Sequence, residues 1–103
     1  MTATEVVANL AKLEDWRLCG DGAEVAIEKA YAFKDYASTM AFVNAVAWAA
    51  QATDHHPELR VTFNQCVVRY RTHDVGGLSR ADFECAERAD ALVLDRASAG
   101  HQP

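Results

Sequence analysis

Apolar positions follow two periods along the chain, and the changes between them mark out its elements. From Thr4 to Leu13, Val6, Val7, Leu10 and Leu13 fall at helical spacing, with Glu5 near the start and Lys12 near the end, each sign suiting the helix dipole. A short extended piece is expected around Trp16 to Leu18, then turn chemistry at Gly20-Asp21-Gly22. Val25, Ile27, Lys29, Tyr31 and Phe33 alternate with small or charged residues, the pattern of a strand with one buried face. The period then returns to helical. Asp35 or Ser38 caps an Ala-rich element that carries Met40, Phe42, Val43, Val46 and Trp48 and runs to about Asp54.

This is the longest helix, and Ser38, Thr39, Asn44 and Gln51 do not give it a broad wet face. A sheet on one side leaves part of its apolar surface uncovered, which predicts a second packing partner, another subunit. Pro57 cannot continue the helix and moves His56 out of the helical region. Leu59, Val61 and Phe63 alternate with Arg60 and Thr62; after Asn64-Gln65, Val68, Tyr70 and Thr72 alternate with Val67, Arg69 and Arg71, so an antiparallel hairpin is predicted. Asp74 to Leu78 reads as a loop. Ser79 with Asp82 three residues on resembles an acidic capping box, opening a helix with Phe83, Ala86, Ala89 and Val93 inward. Strands too closely spaced for parallel crossovers imply an α+β fold: an antiparallel sheet with helices on one face. The expected organisation is a single domain over 1–97 and a frayed tail over 98–103.

Bulk properties narrow the function. At 103 residues, half of them apolar, the chain can bury a core without staples. Cys19, Cys66 and Cys85 are odd in number and form no CxxC pair, so reduced structural thiols are expected rather than a disulfide framework or a zinc ribbon. A formal charge of -5 offers no basic surface, which argues against a nucleic-acid partner. The opening segment is interrupted by Glu5, Asn9 and Lys12, and no apolar run is long enough to span a membrane; a soluble, unexported, cytoplasmic protein is expected.

The candidate chemistry lies in the histidines. His55 and His56 stand where the long helix stops and His73 just beyond the last strand, places where sites collect. Topology could bring the three imidazoles to one cleft, and a ring with an ordinary pKa of about 6.5 both gives and takes protons near neutrality. A metal site is the competing use of imidazoles. Against it, neighbours on a helix point about 100° apart, so His55 and His56 do not form the usual chelating pair. Asp82 has a simpler explanation in the favourable charge at a helix N-terminus, and Cys66 and Cys85 lack any local partner for nucleophilic catalysis.

Asp54-His55-His56-Pro57-Glu58, the aromatic Phe63, Thr72-His73-Asp74, and Gly77-Leu78-Ser79 with Asp82 resemble the signature of the pterin-4a-carbinolamine dehydratase family. Upstream, Ala26-Ile27, Lys29 and Phe33-Lys34-Asp35-Tyr36 are similar to that family's strand and helix entry, so the resemblance covers about Trp16 to Leu94. It implies a four-stranded antiparallel sheet with helices on one face, and subunits paired through sheet edges as a homodimer or, with long helices packed together, a homotetramer. The implied reaction removes water from 4a-hydroxytetrahydrobiopterin to give quinonoid dihydropterin, recycling the cofactor of aromatic amino acid hydroxylases, with no metal or organic cofactor. Carried over, His55 and His73 are general acids toward the 4a-hydroxyl, and His56 binds the pterin and assists proton removal from a ring nitrogen. Pro57, Thr72, Asp82 and Gln51 join His56 on the substrate-binding side, Asp82 orienting a histidine or the loop. Two positions depart from the pattern: Gln51 stands where the family often has a charged residue, and Leu59-Arg60 where animal members carry aromatics. The resemblance also admits non-catalytic members, namely an assembly chaperone of carboxysomal Rubisco and dimerisation cofactors of transcription factors.

Overall fold

The computed structural model describes residues 1–72 and 77–100, with side chains described as far as Val93. Helix α1 spans Ala3–Leu10, β1 Arg17–Cys19, β2 Ala26–Ala32, α2 Tyr36–Thr53, β3 Glu58–Thr62, β4 Gln65–Tyr70 and α3 Arg80–Gly100. The four strands form one antiparallel sheet in the order β1-β2-β4-β3, the α+β arrangement expected from the chain's periodicity. The hairpin turns at Phe63-Asn64, one residue earlier than the pattern suggested. The segment expected as a tail is helical as far as Gly100; residues 101–103 lie outside the described residues, as does His73.

Local chemistry fixes the element ends. Thr2 and Glu5 form a complete capping box at α1, each side chain bonded to the other's backbone N–H. Asp35 is the α2 cap, its carboxylate accepting the Ser38 N–H at 2.8 Å. Before β2, Gly20 has φ +78° and a Cβ there would lie 2.3 Å from the Glu24 carbonyl oxygen, so only glycine fits the turn.

The two faces of the sheet differ because the register aligns unlike rows. Ile27, Tyr31, Cys66, Val68 and Tyr70 point toward the helices and meet Phe42 and Val46 of α2 and Phe83, Ala86 and Ala89 of α3. On the other face Arg17, Glu28, Arg69 and Glu58 stand in one cross-strand row of alternating sign, with Arg17–Glu28 at 3.0 Å and Arg69–Glu28 at 3.5 Å. Such a row suits a wet face and stabilises each pairing modestly. Thr39, fully buried on α2, sets its hydroxyl 2.9 Å from both the Asp35 and Phe63 carbonyl oxygens and so ties α2 to the hairpin turn. The outer side of α2 stays uncovered, and Trp48 there is 72 % exposed.

A second tie was not visible in the sequence. Asp90 of α3 accepts the Trp16 indole N–H at 3.2 Å, the Lys29 ammonium at 2.9 Å and the Tyr31 hydroxyl at 2.5 Å. Lys29 also bonds the Glu14 carbonyl at 3.0 Å and sits 5.0 Å from the centre of the Tyr31 ring. One carboxylate thus holds α3 against β2 and the segment entering β1.

Two predictions follow from this packing. Asp90→Ala leaves the Tyr31 hydroxyl and Lys29 without their acceptor, so it should cost about 2–3 kcal/mol and lower the melting temperature by about 10 °C or more; a thermal scan within 2 °C of wild type would contradict the tie. Burial is also the leading cause that pushes the pKa values of Tyr31, Tyr70, Cys66 and Cys85 up. Each keeps its proton in the folded state where the unfolded chain has lost it, so the unfolded state binds fewer protons and stability falls as pH rises. The contribution is complete below the ordinary thiol value of about 8.5 and is lost through the thiol and phenol ranges. The urea midpoint should therefore be lower at pH 10 than at pH 7; an equal or higher midpoint at pH 10 would contradict it.

Candidate active site

The C-terminus of α2 aims His55. Asp54 adopts the left-handed conformation (φ 53°, ψ 37°), and both its N–H and that of His55 point to the Ala50 carbonyl, a Schellman-type stop with Pro57 shortly beyond. Aspartate tolerates this conformation better than most residues. The chain turns back from α2 here, and the His55 side chain, 17 % exposed, lies against the start of α3.

There it meets Asp82, which is fully buried. His55 Nε2 lies 2.6 Å from Asp82 Oδ1. The other carboxylate oxygen accepts the Thr72 hydroxyl at 2.8 Å and the Ser79 N–H at 2.9 Å, and the Thr72 and Ser79 hydroxyls are 2.7 Å apart. Donor counting orients this network: Thr72 gives its single hydroxyl hydrogen to Asp82, so Ser79 donates to Thr72. The expected capping box is therefore half formed. Asp82 accepts the Ser79 N–H, but the Ser79 hydroxyl is turned to Thr72 and the Asp82 N–H bonds the Ser79 carbonyl instead. A buried carboxylate needs such partners, and three converge on it.

The same counting orients the imidazole. With Nε2–H directed at Asp82, Nδ1 is the nitrogen left over: an acceptor in the neutral ring, a donor in the protonated one. Beneath His55 lies Tyr70 of β4, ring centres 5.9 Å apart and planes within 9°. Sequence pattern put Tyr70 in one alternating row with Val68 and Thr72 but gave no sign that it faces His55.

His56 and Gln51 are exposed and Pro57 is half-buried. Gln51 lies in the last turn of α2, four residues before His55. Thr72 and Gly77 pair backbone to backbone, and the Thr72 side chain is bonded into the His55–Asp82 network. His73 itself lies outside the described residues, as does Asp74. Among the described residues no three His, Cys, Asp or Glu side chains are grouped to hold a metal ion, and no helix is long and apolar enough to cross a membrane. Cys19, Cys66 and Cys85 are free thiols.

Comparison with known proteins gives this arrangement its context. The family model of pterin 4 alpha carbinolamine dehydratase matches residues 1–92. A protein of Paracidovorax citrulli (strain AAC00-1) that bears pterin-4-alpha-carbinolamine dehydratase as a provisional name is 57 % identical over 93 residues, which cover 90 % of this chain and 80 % of the relative. One of Stenotrophomonas maltophilia (strain K279a), named in the same way, is 51 % identical over 84 residues, 82 % and 71 % of the two chains. Among solved structures, a transcriptional coactivator/pterin dehydratase from Brucella melitensis superposes with a TM-score of 0.83 at 28 % identity, covering 89 % of this chain and 96 % of its own. A pterin dehydratase-like protein described as a RuBisCO assembly factor in the alpha-carboxysome gives 0.66, also at 28 % identity, over 77 % and 89 % of the two chains. With a family model covering most of its length and relatives above half identity, the chain belongs to the pterin-4-alpha-carbinolamine dehydratase family.

Proposed function

We propose that the chain is a 4a-hydroxytetrahydrobiopterin dehydratase of the cytoplasm, working in tetrahydropterin recycling beside an aromatic amino acid hydroxylase. The observation that carries this reading is the 2.6 Å contact of His55 with the buried Asp82, in a chain that keeps the family's histidines. Hydroxide is a poor leaving group and departs readily only as water, so the reaction needs a positioned acid at the 4a-oxygen and a base for a ring N–H.

His55 can fill the acid role from Nδ1. In the protonated ring both nitrogens carry hydrogen; Nε2–H stays on Asp82, and Nδ1–H is transferred to the departing hydroxyl. The ring is left as the Nε2–H tautomer with its bond to Asp82 intact. His73 acts as the second acid, following Thr72 in the chain. His56, exposed and next to His55 in the chain, binds the pterin and assists removal of the ring-nitrogen proton, and Pro57 and Gln51 join it in holding the substrate. The Thr72 hydroxyl is bonded to Asp82 and Ser79, and Asp82 in turn to His55. We therefore assign both a role in positioning His55. No metal or organic cofactor takes part in this scheme.

The assay is dehydration of 4a-hydroxytetrahydropterin. Wild type should accelerate it, and His55→Ala should lose about 10²- to 10⁴-fold in kcat/KM while keeping its fold; a wild-type rate no faster than buffer would reject the proposal.

A second reading, a protein-binding role, draws on the uncovered side of α2. That helix carries no charged residue from Tyr36 to Thr53 and exposes Trp48 and Tyr36, and one structural neighbour is described as an assembly factor. Within the dehydratase proposal the same surface, with the free edge of β3, serves to pair copies into a dimer or tetramer. Light scattering should give a multiple of 11.3 kDa for wild type and a smaller species for Trp48→Glu; a monomeric wild type would instead leave the α2 face to another protein.

A further inference from the structure

We propose that Tyr70 is a positioning residue for His55: together with Asp82 it fixes the plane and tautomer of the imidazole, so that Nδ1 is the atom presented to the ligand. The inference rests on the reading of His55 as the acid of the site and adds a residue that this reading does not use. Asp82 by itself constrains the ring incompletely. A flip about Cβ–Cγ would exchange Nε2 for a carbon and lose the bond at 2.6 Å, so Asp82 opposes flipping. It does not oppose tilting of the ring about the Nε2···Oδ1 line. A flat wall parallel to the imidazole does, and Tyr70 lies within 9° of parallel at 5.9 Å, inside the range of offset-stacked rings.

The wall is itself held. Tyr70 is 4 % exposed, pairs in register with Ile27 and packs against Trp16 at 6.0 Å. By contrast the imidazole is not clamped on every side. A gap of about 10 Å³, room for a single water, is lined by Thr53, His55, Tyr70, Cys85 and Arg88. Packing from α2 and α3 therefore leaves slack that the stack takes up. The end of β4 also explains how both restraints arise together, since Tyr70 and Thr72 are two residues apart and share a side of the chain. One supplies the wall under the ring; the other holds the carboxylate at its edge.

The test uses the full chain with four substitutions. Tyr70→Phe keeps the ring, Tyr70→Leu removes it, and Tyr70→Met replaces it with a flexible side chain that adapts to the gap without a flat face, in case the leucine variant fails to fold. Val46→Ala, a core truncation in α2 outside the site, controls for lost stability alone. Imidazole ¹H–¹⁵N spectra of the ligand-free proteins should show one Nε2–H tautomer for His55 in wild type, Tyr70→Phe and Val46→Ala, and mixed or averaged tautomers in Tyr70→Leu or Tyr70→Met. Dehydration kcat should fall about 3- to 10-fold in the last two, the factor an aromatic pair is worth, with KM little changed, and recover in Tyr70→Phe. A folded Tyr70→Leu or Tyr70→Met with the wild-type tautomer and kcat overturns the proposal, as does equal tautomer mixing in Val46→Ala. If wild type lacks dehydratase activity, the dehydratase reading fails, while the ligand-free spectra still decide whether Tyr70 positions the ring.

Discussion

A carboxylate with no access to solvent must find donors within the protein, and the satisfaction of Asp82 is the constraint around which the site is arranged. Its three partners come from three parts of the chain: His55 from the end of α2, Thr72 from the strand end after β4, and Ser79 from the residue before α3. Each approaches only if the sheet, both helices and the turn between them are in their final positions. Placing this one acidic side chain inside the fold therefore demands that the elements meet in one geometry, and that geometry is also the one that aims a histidine.

The two halves of the sheet serve this arrangement differently. The covered face is apolar apart from Lys29, and Tyr31, Phe42, Trp16 and Tyr70 form linked aromatic contacts across it that end under His55. The open face carries the alternating row of Arg17, Glu28, Arg69 and Glu58, whose pairs keep the strands in register while water solvates them. A one-residue slip of β4 would exchange the faces of Tyr70 and Arg69, so the same register that keeps the open face polar keeps the wall under the imidazole. Asp90, at the far side of α3 from Asp82 in sequence, fixes the helix to β2 and completes the frame.

The chain belongs to the pterin-4-alpha-carbinolamine dehydratase family, and the dehydration chemistry proposed for it draws on the contact between His55 and Asp82. Histidine with a buried carboxylate on one nitrogen is a general arrangement for moving a proton from the other, and it needs neither metal nor organic group to work. Gln51 is exposed, four residues before His55 and outside the hydrogen bonds of Asp82, so it is not among the groups bonded into that network.

What the sequence determined by itself is whatever depends on neighbours a few residues apart. Period 2 and period 3.6 located the strands and helices, the turn residues and Pro57 bounded them, and adjacent histidines before a proline marked the site. The structure alone decided the contacts between residues distant in the chain: His55 with Asp82 across 27 positions, Tyr31 with Asp90 across 59 and Trp16 with Asp90 across 74. Local pattern could assign Asp82 a favourable charge at a helix start and Tyr70 a place in one row of a strand, because both statements follow from spacing. It could not assign them to His55, because that depends on strand order, register and the angle at which α3 crosses the sheet, and these are set by packing of the whole domain.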